Sequence, residues 1–184
     1  MSASRIWIVL GALLGGTAVG CGAFAAHGLE GHLLARHEGQ VYERKIATAS
    51  GPRVIETVPL ARKYLADFDT AARYQMYHAL ALIGLGLAPL RGGCRRRKAA
   101  GVFFLLGVCG FSGGLYVYTL LQQRWVGMSI VPLGGACFIV GWGLFAWAAL
   151  SAPVASSPAP SSPAPSSPAP SSPAPSSPEG SHAR

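Results

Sequence analysis

The chain has 184 residues, of which 51% are hydrophobic and only 12% charged, with a formal net charge of +8. A soluble domain has about a quarter of its residues charged, so this composition excludes water as the main solvent and leaves no room for a separate soluble enzyme domain. The positive balance does not point to nucleic acid, because the basic residues flank apolar segments, where anionic headgroups and insertion topology account for them.

The first apolar segment, residues 6–26, contains no Asp, Glu, Lys or Arg and is long enough to cross a hydrocarbon core of about 30 Å. Gly11, Gly15, Gly16 and Gly20 recur along it at helical spacing, which predicts a face open to close backbone approach by another helix. An alternative reading is a secretory signal, with Ala23-Phe24-Ala25 as cleavage motif and Cys21 as a lipoprotein-like position, but the apolar run is longer than a signal core. An uncleaved span is the expectation.

Residues 27–66 read as a polar connection punctuated by Gly51, Pro52 and Pro59, with short helical pieces such as 58–66 at the membrane surface. His27, His32 and His37 recur every five residues, a spacing that spreads them around a helix rather than along one face, so no metal site is expected from them.

Residues 68–90 form the segment on which the rest is organised. Asp67 and Asp69 suit an N-cap and the positive end of a helix, and Asp69 with Arg73, like Tyr74 with His78, are four residues apart on one face. If hydrocarbon begins near Thr70, His78 lies about 12 Å deep at 1.5 Å per residue. An ionisable group at that depth faces protein or a cavity. His78 then either donates one hydrogen bond to a neighbouring helix or takes a ligand, proton or metal role. Arg73 reads as a snorkelling side chain, with Tyr74 and Tyr77 as interfacial anchors.

Residues 91–98, RGGCRRRK, form a basic turn, and short basic loops stay cytoplasmic, which places both termini inside. A third charge-free stretch, 99–123, carries Gly110, Gly113 and Gly114 for close packing, and a fourth, 126–150, lies between Trp125 and Trp147-level indoles of an aromatic belt. Pro132, followed by Gly134 and Gly135, predicts a kink in that last helix. Cys21, Cys94, Cys109 and Cys137 form no CxxC pair, so neither a disulfide framework nor a zinc site is indicated. From Ser151 the SSPAP repeat predicts a disordered, partly polyproline tail.

GAFAAHG at 22–28, ARYQMYHALAL at 72–82, FSGGLY at 111–116 and RWVGMSIVPLGG at 124–135 together resemble the domain-of-unknown-function-423 family, small four-span membrane proteins of the YgdD-like type. The resemblance implies a four-helix membrane protein and carries no established activity. Against that pattern, residues from about 38 to 62 are an insertion and the SSPAP tail is extra. His27, Arg73, Tyr74, Gln75, Tyr77 and His78 are the polar positions within the matching motifs.

The expected architecture is an all-α membrane protein: residues 1–150 with four antiparallel transmembrane helices at about 6–26, 68–90, 99–121 and 126–149, then a disordered tail at 151–184. The expected role is non-enzymatic and structural or interacting, in the cytoplasmic membrane, with lipids and membrane helices (its own copies included) as partners and no nucleic acid, cofactor or metal. The alternative is a small transporter or channel-like protein with His78 and Arg73 lining a polar cavity. An enzyme or metal carrier on His27 and His78 is a third reading, for which no catalytic set specifies a reaction.

Overall fold

The computed structural model describes residues 3–88 and 94–151. They are mostly helical. A first long helix runs as α1 (Ala3–Phe24), a widened π turn (Ala25–Leu29) and α2 (Glu30–Arg36). Two strands follow, β1 (Val41–Thr48) and β2 (Gly51–Pro59), and then α3 (Leu60–Leu87). Next come α4 (Cys94–Gly107), a second π turn (Val108–Gly113) and α5 (Gly114–Leu121), and last a third π turn (Val126–Ile130) leading into α6 (Val131–Leu150).

Three of these helical runs are long and apolar enough to cross a membrane: Ser4–Arg36, Arg95–Leu121 and Val126–Leu150, of 33, 27 and 25 residues. The helix α3 is long enough but less apolar, since Arg73, Gln75 and His78 interrupt it. Its buried positions, among them Tyr64, Phe68, Ala71, Gln75, His78, Leu82 and Leu85, recur every three to four residues and form one face.

Residue contacts run in opposite directions along neighbouring helices. On α1 and α3, Gly86 faces Ser4 and Ile8, Gly11 faces Ala79 and Ile83, and Leu14 and Thr17 meet Gln75. On α6 against α4 and the second π turn, Gly141 faces Phe104, Phe138 faces Gly107 and Gly134 faces Gly110. One core cluster joins Trp7, Leu82, Leu85, Ala100, Phe104 and Phe138; another joins Leu29, Leu33, Tyr64 and Phe68 nearer the strands.

The region expected as a polar connection is more ordered than its composition implies. The first helix continues ten residues past Ala26 to Arg36, because Leu29 and Leu33 bury against α3 at helical spacing. The strands form an antiparallel hairpin with Tyr42 opposite Val58 and a bulge between Arg44 and Lys45. Gly51, at φ +112°, supplies the turn that an L-residue would resist. Pro59, still in extended conformation, ends β2 and starts α3, so Asp67 and Asp69 lie inside that helix instead of capping it. There Asp67 pairs with Lys63 and Asp69 with Arg73, each four residues apart.

Two further expectations are refined and a third is not reached. Arg95 to Lys98 belong to the first turns of α4, not to a turn between helices, while residues 91–93 of the basic stretch lie outside the described residues. Pro132 occupies the start of α6 directly after the third π turn, where Val131 N–H bonds Val126 O; the missing proline N–H thus falls where the helix has just changed register. The SSPAP tail beyond Ser151 also lies outside the described residues.

Candidate functional site

The polar residues inside the helices were the candidates from sequence, and the fold uses them in two separate places. Gln75 on α3 is buried and joins three helices. Its amide nitrogen donates to Leu14 O at 2.9 Å and to Thr17 Oγ1 at 2.8 Å on α1. Its amide oxygen accepts from the Tyr116 hydroxyl of α5 at 3.1 Å. In a non-polar setting an amide left unpaired costs several kcal/mol on the order of a lost hydrogen bond or more, so Gln75 is fixed by satisfaction of both its ends.

His78 lies one turn further along the same face and is also buried. Its Nδ1 lies 2.8 Å from Tyr74 O, so Nδ1 carries the proton and donates. Nε2 is then the acceptor, and Trp142 Nε1 of α6 donates to it at 3.3 Å. The imidazole stacks on Phe138, 10° from parallel, and the Phe104 ring packs 5.6 Å away, tilted by 53°. Both ring nitrogens are thus engaged by the chain itself. A groove of about 560 Å³ opens beside it, lined by Tyr74, His78, Phe111, Pro132, Phe138 and Trp142 with Gly135, Ala136 and Ile139 between. The lining is aromatic, and His78 is its one ionisable side chain apart from the tyrosine.

The remaining candidates do not converge on that groove. Arg73 is exposed and paired with Asp69, and it does not line the groove. Tyr77 is 55% exposed and His27 points outward from the first π turn. His27 and His78 therefore do not form a shared site, and among the described residues no group of three His, Cys, Asp or Glu side chains could hold a metal.

Of the glycines expected to pack helices, Gly11, Gly110 and Gly114 do so: a Cβ on Gly11 would lie 2.6 Å from Ala79 O, and one on Gly110 3.0 Å from Gly134 Cα. Gly15 is in ordinary contact distance of α3, whereas Gly16 and Gly20 meet nothing within 4 Å among the described residues. They lie on the other face of α1. The closest backbone crossing is made instead at Gly134, with Gly101 and Gly141 receiving the Trp7 and Phe104 rings.

Two polar clusters near the strands were not legible from sequence. Lys63 donates to Asp67 at 2.6 Å and to the Tyr118 hydroxyl at 2.8 Å, with the rings of Tyr42, Tyr64 and Tyr118 each within 5.3 Å of its ammonium. Burial works against that charge, but the bonds to Asp67 and Tyr118 outweigh it and raise the Lys63 pKa above the ordinary lysine value. Burial also pushes the neighbouring Tyr64 up, with Tyr118 adding to it. In the second cluster, His37 lies between Gln40 Oε1 at 3.1 Å and the Gln122 amide nitrogen at 2.6 Å, 85 residues away in the chain. Gln122 adopts φ +56°, a left-handed turn that ends α5.

A family profile described as "Protein of unknown function (DUF423)" matches residues 21–135. A UPF0382 membrane protein of Staphylococcus saprophyticus is 38% identical over 138 residues, 75% of this chain and 91% of the relative. The UPF0382 membrane protein YwdK of Bacillus subtilis is 34% identical over 148 residues, 80% of this chain and 98% of the relative. No solved structure matches the chain. A membrane protein by its relatives and by its three long apolar helices, the chain belongs to the DUF423 family, whose members here bear the name UPF0382 membrane protein.

Proposed function

We propose that the protein is a four-span integral membrane protein of the cytoplasmic membrane, an antiparallel bundle with both termini on the cytoplasmic side, acting as a structural or interaction protein rather than an enzyme. The observation that carries this reading is the use of Gln75 and His78: each polar atom they bring into the helix interior is taken up by another helix or by its own backbone. A site for chemistry would keep such an atom available. Lipids and other membrane helices, including those of a second copy, are the partners this reading implies, and the open Gly16 and Gly20 face of α1 is compatible with the latter. The cytoplasmic assignment of the termini draws on Arg5 and the cluster from Arg95 to Lys98, which share one end.

The test is a native mass spectrum of the full chain released from a membrane mimic. The expected result is the polypeptide with lipid alone, as one or more copies. A stoichiometric metal or small-molecule adduct that disappears in His78→Ala overturns the reading.

The groove beside His78 is the observation that favours the alternative, a small transporter or channel-like protein. Its requirement that Arg73 share the cavity finds no support in the Arg73–Asp69 pair. Proton flux into dye-loaded proteoliposomes, present with the native chain and lost in His78→Ala, would select the transporter; flux equal to empty vesicles rejects it as a proton pathway.

A further inference from the structure

One end of the helical domain gathers basic side chains. Arg5 on α1 and Arg95, Arg96, Arg97 and Lys98 on α4 lie there, brought together by Arg97 donating to Ser4 Oγ at 2.9 Å. Six of the seven acidic residues, Glu30, Glu38, Glu43, Glu56, Asp67 and Asp69, fall instead on α2, the turn after it, the hairpin and the first half of α3, at the other end. Among the described residues, Arg5, Arg95, Arg96 and Lys98 make no ion pair.

The cluster is partly fixed. The Arg96 guanidinium lies 4.3 Å over the Trp147 ring and donates through one nitrogen to Ser151 Oγ at 2.7 Å, leaving further N–H groups of its fork unused. Immediately beside these cations the surface is apolar: Ile6, Val102, Trp147 and Leu150 are all exposed, Leu150 at 87%. Cations on one side and an exposed apolar band on the other match an amphiphile with an anionic head, and match neither free phosphate nor a nucleic acid, which would leave the apolar band uncovered.

We infer that this end is a binding surface for anionic phospholipid, with the phosphodiester on Arg95, Arg96 and Lys98 and the acyl chains against the Trp147 and Leu150 face. The inference rests on the membrane-spanning reading above. Each cation near a membrane surface favours an anionic headgroup by about five-fold, so several acting together support a preference on the order of ten-fold after competition among them.

The experiment exposes the purified full chain in detergent to an equimolar mixture of phosphatidylglycerol and phosphatidylcholine and quantifies the retained lipids by mass spectrometry. The native chain is expected to retain phosphatidylglycerol about ten-fold over phosphatidylcholine, and Arg95→Gln/Arg96→Gln/Lys98→Gln to bring the ratio near one. Arg44→Gln/Lys45→Gln/Arg53→Gln in the hairpin, an equal loss of charge, is expected to keep the preference. Raising salt from about 0.05 to about 0.5 M is expected to weaken it in the native chain, a readout independent of whether the variant folds. A ratio near one for the native chain overturns the inference, as does an equal loss in the hairpin variant or full displacement of the lipid by inorganic phosphate or a duplex oligonucleotide. Alkaline carbonate extraction separates the two levels: a chain that stays in membranes yet shows no lipid preference defeats this inference only, whereas a chain that is extracted defeats the spanning reading.

Discussion

Replacing Gly134 by alanine tests the helix crossing at its tightest point. A Cβ there would lie 2.5 Å from Gly110 C and 2.8 Å from Phe111 Cα, both main-chain atoms that no rotamer change can move. Phe111 N lies closer still, and ordinary contact begins near 3.4 Å, so α6 and the second π turn must part by more than the 0.9 Å that Gly110 C alone requires (3.4 less 2.5). A gap of that size forfeits about a quarter to a half of the local dispersion attraction, and overpacking of this kind costs about 1–3 kcal/mol. A clash with main-chain atoms falls in the upper part of that range, about 2–3 kcal/mol, and the intrinsic helix preference of alanine over glycine returns up to about 1 kcal/mol, leaving a net loss of at least about 1 kcal/mol. The same substitution at Gly20, where nothing lies within 4 Å, keeps the gain and has no clash, so it should be neutral or stabilising by up to about 1 kcal/mol. Unfolding of the two variants by sodium dodecyl sulfate titration in mixed micelles, followed by far-UV circular dichroism, measures both. Equal stability of Gly134→Ala and the native chain would refute the crossing; destabilisation by Gly20→Ala would show that a second copy covers that face.

Gln75→Leu removes three hydrogen bonds and leaves the Tyr116 hydroxyl without its acceptor, for an expected loss of about 1–2 kcal/mol in the same titration, while Tyr77→Leu on the exposed face should stay within about 0.5 kcal/mol. Lys63 has its pKa raised in the fold, so its stabilising charge is complete below the unfolded lysine value and is lost as pH climbs through the folded one; Tyr64, also raised, acts in the same sense. Stability measured from pH 7 upward should therefore hold until about pH 10 and then fall, with a shallower fall in Lys63→Met. Excising residues 41–59 should leave the helical domain folded, because Leu60 N already lies 2.9 Å from Gln40 O and the new junction closes across that gap; loss of the monodisperse peak on size exclusion would contradict this.

How much of this was legible depended on range. The charge-free runs showed three of the four long helices directly, and Gln75 and His78 stood out as polar groups flanked by apolar residues. The continuation to Arg36 carried a signal too, Leu29 and Leu33 four apart, but Glu30, His32 and Arg36 on the exposed face made it read as a loop. The hairpin was hidden because it buries neither face, so its strands show no alternation, and Gly51 and Pro52 read as punctuation where they open β2 directly after the turn at Ala49 and Ser50. Glycine spacing alone could not say which glycines touch a neighbour: Gly20 and Gly110 look alike in sequence and differ only in what lies opposite. The bonds from Lys63 to Tyr118 and from His37 to Gln122 join residues 55 and 85 apart, which no local pattern encodes.

The central claim, that all four long helices span, turns on α3, the least apolar of them, and is tested most directly by cysteine labelling in intact cells. With the four native cysteines replaced, single cysteines at Ser50, Arg95 and Gln123 are exposed to a membrane-impermeant maleimide. Ser50→Cys and Gln123→Cys are expected to label from the outer side, with Arg95→Cys protected until the cells are permeabilised. Labelling of Arg95→Cys together with Ser50→Cys in intact cells would place both ends of α3 on one side and contradict it.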